Sequence, residues 1–150
     1  MTCDELQEKN ILLVTIYYLL VTRYCLFREV YMGKPHHKLN VWLKAVAFVK
    51  NIYQVTGKFP AEEKFGLVSQ MRRSAISIAS NISEGAGRNN KKEFIQFLGI
   101  AQGSLSELET QLIISRELGF ITGKLADELI NELDAISKMI IGLQKSIKEK

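Results

Sequence analysis

Cysteine and proline are scarce in this chain of 150 residues, which contains two of each. Cys3 and Cys25 are too few for a disulfide framework or a cysteine-rich zinc knuckle, so we predict a reduced, cytoplasmic setting. His36 and His37 form an isolated pair, whereas a tetrahedral zinc site needs four well-placed ligands. The sequence therefore predicts no metal site and no cofactor, and its few prolines favour long uninterrupted helices.

We also expect no membrane span and no signal peptide. The apolar run at residues 11–21 is shorter than the about 20 residues that a span needs, and Arg23 interrupts its continuation. Acidic residues precede this run, whereas a signal peptide begins with basic ones. We interpret residues 1–33 as an N-terminal extension, either an additional helix or strand packed on the domain or a poorly ordered segment. Met32 is an alternative start of the product.

Charge is unevenly distributed along the chain. Residues 34–93 contain 11 Lys and Arg against 4 Asp and Glu, whereas residues 94–150 contain 6 against 8. The first part is therefore basic and the second mildly acidic. A basic face suits an anionic partner, with nucleic acid as the first candidate. An ordinary solvated charged surface is the alternative interpretation.

Hydrophobic periodicity predicts four helices within residues 34–150, which we treat as one domain. The predicted helices cover about residues 40–56, 62–84, 90–118 and 122 onwards. Asn40 is expected to cap the first helix, whose apolar stripe includes Val46 and Tyr53, and Gly119 is expected to end the third in a left-handed conformation. The third helix carries a coiled-coil-like seam from residue 94 to residue 112. Because short connections force antiparallel neighbours, the predicted fold is all-α: an up-down-up-down antiparallel four-helix bundle with an extra N-terminal segment.

The segment between the second and third helices is the first candidate binding site. It contains two glycines and the basic residues Arg88, Lys91 and Lys92, beside a helix N-terminus whose free amide groups attract anions. It is not a Walker loop, because the spacing is absent and no strand precedes it. We predict nucleic-acid contact here, with an exposed hinge carrying solubilising charge as the alternative. Five further lysines would extend the positive field: Lys38, Lys44, Lys50, Lys58 and Lys64.

Arg72 and Arg73 form a second candidate, because guanidinium groups match phosphate oxygens in pairs. Their place inside the second helix makes an interhelical or intersubunit ion network the alternative. The small polar side chains of the same helix would let another helix approach closely, and their polar atoms would then need partners there. We assign four residues to an interface or polar network: Ser77, Asn81, Glu84 and Glu107.

No catalytic arrangement is visible in the sequence. Glu107 and Glu109 are two residues apart on a helix and therefore point in different directions. No His stands near them in sequence, and the serines have no evident Ser/His/Asp partners. We predict that the chain is not an enzyme and has no catalytic residues.

A long run of motifs extends over most of the domain. It comprises Phe59-Pro60, Glu62-Glu63, Phe65-Gly66-Leu67, Gln70, Arg72-Arg73, Ser77-Ile78, Asn81-Ile82, Glu84-Gly85, Gly87-Arg88, Glu93-Phe94, Phe97-Leu98, Gly103-Ser104-Leu105, Glu107-Leu108-Glu109-Thr110-Gln111-Leu112 and Leu118-Gly119. This run resembles the four-helix bundle family encoded in intervening sequences of 23S ribosomal RNA genes, from about residue 39 to the C-terminus. Residues 1–33 lie outside the resemblance, and Ser83 and Ala79 replace the alanine and proline expected there.

The resemblance implies several properties beyond the fold. Members of the family look like ring-shaped homo-oligomers, commonly pentamers, with a positively charged surface proposed for nucleic acid. A related branch serves as the accessory protein of diversity-generating retroelements and assists a reverse transcriptase. No member is known as an enzyme.

Together, these features favour a bacterial, cytoplasmic, non-catalytic and homo-oligomeric protein whose basic face contacts structured RNA or other nucleic acid. The alternative is a protein-interaction adaptor, such as an accessory subunit of a retroelement reverse transcriptase. A neighbouring reverse-transcriptase gene would favour the adaptor, whereas a location inside a ribosomal RNA gene would favour the first interpretation.

Overall fold

The computed structural model describes residues 33–149. Four α-helices and two short 3-10 helices make up this part of the chain, and no strand is present among its residues. The expected N-terminal extension lies outside the described residues, apart from Gly33. The α-helices are α1 (Asn40–Thr56), α2 (Leu67–Ala86), α3 (Lys91–Glu117) and α4 (Gly123–Glu149), and the 3-10 helices are Pro35–Lys38 and Ala61–Lys64.

The helix ends agree with most of the predicted ones, with two corrections. Asn40 does not cap α1: it is the first helical residue, and Leu39 precedes it without any side-chain capping bond. Helix α2 begins at Leu67 and not at residue 62, because the intervening residues form a 3-10 turn. The Glu63 carboxylate accepts a hydrogen bond from the Leu67 amide at 3.0 Å and so satisfies one free donor of the new helix. Gly119 has the expected positive φ of 75°.

Consecutive helices pack side by side, and α1 also contacts α4, which closes the bundle. The Asn51 amide, for example, donates to the Glu132 carboxylate across the α1–α4 contact at 3.1 Å. The short connections make every consecutive pair antiparallel. The predicted up-down-up-down four-helix bundle is therefore confirmed.

The core is formed by one apolar stripe from each helix. The seam predicted for α3 is buried as expected from Leu98 to Leu112, and so are Ile78 of α2 and Ile136 of α4. Helix α1 agrees with the prediction only in part: Ala45 and Ile52 of the predicted stripe are buried, and Phe48, which was not predicted, is buried with them. Val46 and Tyr53, which were assigned to the buried stripe, are exposed at 43% and 41%.

The α2–α3 contact is the most extensive in the bundle, and small residues line it. Ser77 and Ser104 bring their hydroxyl oxygens to 2.8 Å from each other across this contact. Near its end, a Cβ atom on Gly85 would lie 2.7 Å from the Phe94 ring and 2.8 Å from the Phe97 Cβ. Because real Cβ contacts are longer, only glycine allows the two helices to approach this closely.

Candidate nucleic-acid interface

The connection between α2 and α3 is stabilised by its own hydrogen bonds. Asn90 is the N-cap of α3, and its side-chain oxygen accepts a hydrogen bond from the Lys92 amide at 2.9 Å. The Gly87 amide is bonded to carbonyl groups of the last turn of α2. The four residues between the helices therefore form a short, hydrogen-bonded corner, and the first turn of α3 projects from it.

Arg88, in this corner, is held by neighbouring side chains. One guanidinium nitrogen lies 2.6 Å from a Glu84 carboxylate oxygen, and another lies 3.9 Å from Glu93. The guanidinium group also lies over the Phe97 ring, 5.0 Å from its centroid. Although this side chain is 44% exposed, two carboxylates already offset its charge. Arg88 is therefore less available to a phosphate than its position in the sequence indicates.

Lys91 and Lys92 occupy the first turn of α3 and are exposed. Neither forms an ion pair with any residue of the described range 33–149. Free ammonium groups beside the N-terminus of a helix add their charge to that of the helix dipole. The two lysines are thus the residues of the predicted site whose positive charge is directed at solvent.

The fold brings further lysines to this end of the bundle. The Gln144 amide of α4 donates to the carbonyl of Ile95 at 3.4 Å, so the last turns of α4 lie beside the first turns of α3. Lys145 and Lys148 are therefore at the same end, and both are exposed. Nothing in the sequence indicates that they lie near the loop, because only the antiparallel return of α4 brings them there.

The N-terminal part of the described chain reaches this end as well. The 3-10 helix Pro35–Lys38 contacts α2 and leads into α1, whose first turn lies opposite the last turn of α2. This part of the chain contributes two exposed lysines, Lys34 just before the 3-10 helix and Lys38 at its end. We call the seven basic residues of this region the basic end: Lys34, Lys38, Arg88, Lys91, Lys92, Lys145 and Lys148.

The two histidines lie at the basic end too, packed around Trp42. Their ring centroids are 4.9 and 5.2 Å from the Trp42 ring. The pKa of His36 is lowered from its ordinary value of 6.5 by burial, by His37 and by Lys34. Within residues 33–149, no group of three or more His, Cys, Asp or Glu side chains is placed to hold a metal ion.

Arg72 and Arg73 do not belong to the basic end. Arg73 lies in the second turn of α2, and the 13 residues from there to Ala86 span about 20 Å of helix. The Arg72 Nε donates to the Thr56 hydroxyl at 2.9 Å, and its guanidinium group lies over the Tyr53 ring at 4.5 Å. The structure therefore divides the five predicted nucleic-acid residues between two separate places.

The residues assigned to a polar network are also distributed along α2 and α3. The Asn81 amide donates to the Ser77 carbonyl at 2.8 Å and to its hydroxyl at 3.0 Å. Glu107 lies 3.7 Å from Arg73, and its carboxylate also accepts from the Gln111 amide. Arg73 thus has an interhelical partner, Glu107. Glu84 is paired with Arg88 at the basic end.

None of the helices in the described part of the chain is long and apolar enough to cross a membrane.

The fold is similar to that of a solved protein. A crystal structure of a protein of unknown function from the S23 ribosomal protein family of Bacteroides thetaiotaomicron VPI-5482 matches with a TM-score of 0.65 and 26% sequence identity. The similarity covers 70% of this chain and 98% of that protein. No curated protein matches the chain. The family model described as 23S rRNA-intervening sequence protein matches residues 37–142, which include α1, α2, α3 and most of α4. The chain therefore belongs to the 23S rRNA-intervening sequence protein family.

Proposed function

We propose that this protein is a non-catalytic, homo-oligomeric binding protein of the cytoplasm, and that its basic end contacts structured RNA. The observation that carries the proposal is the convergence of lysines from three distant parts of the sequence. Lys34, Lys91 and Lys145 belong to different segments, and the topology of the bundle collects those segments at one end. Clustered positive charge on one face is the electrostatic feature of a nucleic-acid-binding surface.

The chemistry of the basic end favours phosphate contact over base reading. Its charges are mostly lysines, which bind phosphates as point charges without fixed geometry. Structured RNA presents closely spaced phosphates and is recognised largely by shape. Binding is therefore expected to show little base preference and to weaken steeply with salt, because each contact releases condensed counterions.

The proposed number of five copies, and the homo-oligomer itself, come from the family resemblance. The absence of catalysis is likewise part of the proposal. It is supported by Glu107, the carboxylate next to Glu109 in sequence, which is engaged with Arg73 and Gln111.

The test measures binding of the purified full chain to a structured ribosomal RNA fragment. Fluorescence anisotropy detects the binding, and the measurement is repeated across a salt series. The variant Lys91→Ala/Lys92→Ala removes two free charges and leaves the Arg88–Glu84 pair intact. We expect a weaker affinity and a log–log salt slope reduced by roughly 0.7–0.9 for each lost phosphate contact. Adding Arg88→Ala is expected to weaken binding further.

A matched control removes an equal number of positive charges outside the basic end. Lys50, Lys58 and Lys124 are exposed and lie outside the basic end, so their replacement by Ala should change affinity much less. Equal losses in both sets of variants would show that only net charge matters and would refute the basic end as the site. Absence of binding by the wild-type chain at low salt would refute RNA binding and favour a protein partner.

A further inference from the structure

Apolar side chains follow the outer side of α1, away from the core. Leu43, Val46 and Tyr53 are exposed at 51%, 43% and 41%. Their spacings of three and seven residues place them on one side of the helix, over about 15 Å. Lys50 lies on the same side, and its aliphatic stem is compatible with apolar contacts. We call Leu43, Val46 and Tyr53 the exposed stripe, and a group of this kind indicates an interaction surface.

The exposed stripe leads into an open groove between α1 and α2, at the end of the bundle opposite the basic end. Tyr53 lines this groove of about 550 Å³ together with Phe65 and Ile76. Phe65 is 87% exposed and Ile76 is 44% exposed. The exposed stripe and the groove therefore form one apolar surface along α1 and the start of α2.

The groove is basic as well as apolar. Lys64, Arg72 and Arg73 line it, and none of its lining residues in the described range is acidic. Glu107 lies 3.7 Å from Arg73 and offsets part of its charge, whereas Glu63 is bonded to the first turn of α2. Three basic side chains against Glu107 leave a surplus of two positive charges. The surface therefore suits an apolar segment with acidic residues at one end.

The chain itself contains such a segment before Gly33. Residues 11–21 are apolar apart from Thr15. The ten residues before this run contain three acidic residues and one basic residue: Asp4, Glu5, Glu8 and Lys9. An apolar run of this length is sufficient to cover the about 15 Å of the exposed stripe, as a helix or in a more extended form. The segment therefore matches the surface in length, apolar character and charge.

The attachment point at Gly33 allows this segment to reach the surface. Gly33 leads through the 3-10 helix Pro35–Lys38 into α1, so it lies near the Leu43 end of the exposed stripe. The chain from Val21 to Gly33 can extend to about 40 Å, which exceeds the about 25 Å length of α1. Antiparallel packing against α1, the usual result of a short connection, brings Val21 close to Leu43. The acidic residues at the other end of the run then lie at the groove.

We propose that residues 4–21 cover this surface of their own bundle. The apolar run packs on the exposed stripe, and Asp4, Glu5 and Glu8 lie in the groove beside Lys64 and Arg73. Because the segment is attached to the bundle, its effective concentration at the surface is roughly millimolar, which favours it over a separate partner. The inference goes beyond the proposed function, since the basic end can bind RNA without these residues.

The cysteines provide a direct test in the full chain, because Cys25→Ser leaves Cys3 as its only thiol. A nitroxide spin label on Cys3 broadens the NMR signals of nearby amide groups. We expect the label to remove the Phe65 signal and to leave the signals of Lys91, at the basic end, and Lys138, on α4. In a mixture of spin-labelled chain with unlabelled, isotopically enriched chain, the Phe65 signal should persist, because the contact forms within one chain.

Substitutions on the exposed stripe test the contact from the side of the bundle. Leu43→Glu/Val46→Glu should displace the apolar run and restore the Phe65 signal in the spin-labelled chain. The matched control is Ile100→Glu/Ile141→Glu, which changes residues on α3 and α4 that are exposed at 47% and 43%. The control should leave the Phe65 signal broadened. All four substituted residues are exposed, so circular dichroism should show wild-type helicity in both variants.

The outcomes separate this inference from the proposed function. A Phe65 signal that the label does not affect overturns the inference. Loss of the Lys91 signal in its place also overturns it, because the acidic residues would then lie at the basic end. Loss of the Phe65 signal in the mixture would identify a second copy as the occupant, and the inference would be wrong. Absence of RNA binding by a chain that shows the expected broadening refutes the proposed function alone.

Discussion

Because α2 and α3 approach closely at Gly85, we predict that Gly85→Ala destabilises the fold, whereas the same substitution usually stabilises a helix. In an unconstrained helix, Gly→Ala stabilises by about 0.5–1 kcal/mol, because alanine loses less backbone entropy on folding. At Gly85 the new methyl group would lie 2.7 Å from Phe94 and 2.8 Å from the Phe97 Cβ. The Phe94 ring can rotate, but the Phe97 Cβ moves only with the backbone of α3.

The expected change in the free energy of unfolding of Gly85→Ala is the difference between these two opposing effects. Forcing an extra methyl group into a packed contact costs about 1–3 kcal/mol. After subtracting the propensity gain of about 0.5–1 kcal/mol, Gly85→Ala is expected to lower the free energy of unfolding by about 0–2.5 kcal/mol, with a central value of about 1 kcal/mol. The expected change is therefore opposite in sign to that of an ordinary helical glycine.

Two other glycines provide matched controls in the same chain. A Cβ atom on Gly99 of α3 or Gly142 of α4 would meet nothing within 4 Å. Gly99→Ala and Gly142→Ala should each raise the free energy of unfolding by about 0.5–1 kcal/mol. Urea unfolding followed by circular dichroism, at one protein concentration for all variants, measures the three changes. A Gly85→Ala variant stabilised as much as Gly99→Ala would refute the packing argument.

Two further predictions concern the basic end. Asn90→Ala removes the acceptor of the Lys92 amide and should lower the free energy of unfolding by about 0.5–2 kcal/mol in the same urea assay, whereas Asn90→Asp should retain most of the stability. Because the folded-state pKa of His36 lies below its ordinary value of 6.5, the unfolded chain binds the proton more readily. The contribution of neutral His36 to the free energy of unfolding should therefore be fully present above pH 6.5 and be lost as pH falls from 6.5 through the folded-state pKa. An NMR titration that gives His36 a pKa of 6.5 or higher would contradict the lowered pKa. The substitution His37→Ala should raise the pKa of His36, because it removes one of the charges that lower it.

Prediction from the sequence succeeded where the apolar pattern admitted one interpretation. The seam of α3 repeats at steps of four and three, and residues such as Leu105 and Leu108 are buried as expected. In α1, by contrast, residues 41–49 are apolar on more than one side of the helix. Periodicity alone could not decide which side faces the core, so Val46 was assigned to the wrong side. Contacts with α2 and α4 determine which side of α1 is buried, and the local sequence does not encode those contacts.

The start of α2 and the composition of the basic end were missed for related reasons. Glu62, Glu63 and Lys64 are compatible with a helix, but Gly66 has φ −96° and ψ −117°, which interrupts it. Lys145 lies more than 50 residues from Lys91 in sequence, and only the antiparallel return of α4 brings it to the same end. The loop itself could be identified from its glycines and charges, because those signals are local.

The topology places both described ends of the chain, Gly33 and Glu149, at the basic end. An affinity tag fused at the C-terminus, directly after this end of α4, therefore emerges close to Lys91 and Lys145. A polyhistidine tag there would add its own protonatable groups to the surface being studied, and an acidic tag would screen it. Binding measurements with this protein should use chain from which the tag has been cleaved, and a difference between tagged and cleaved protein would itself report on the location of the surface.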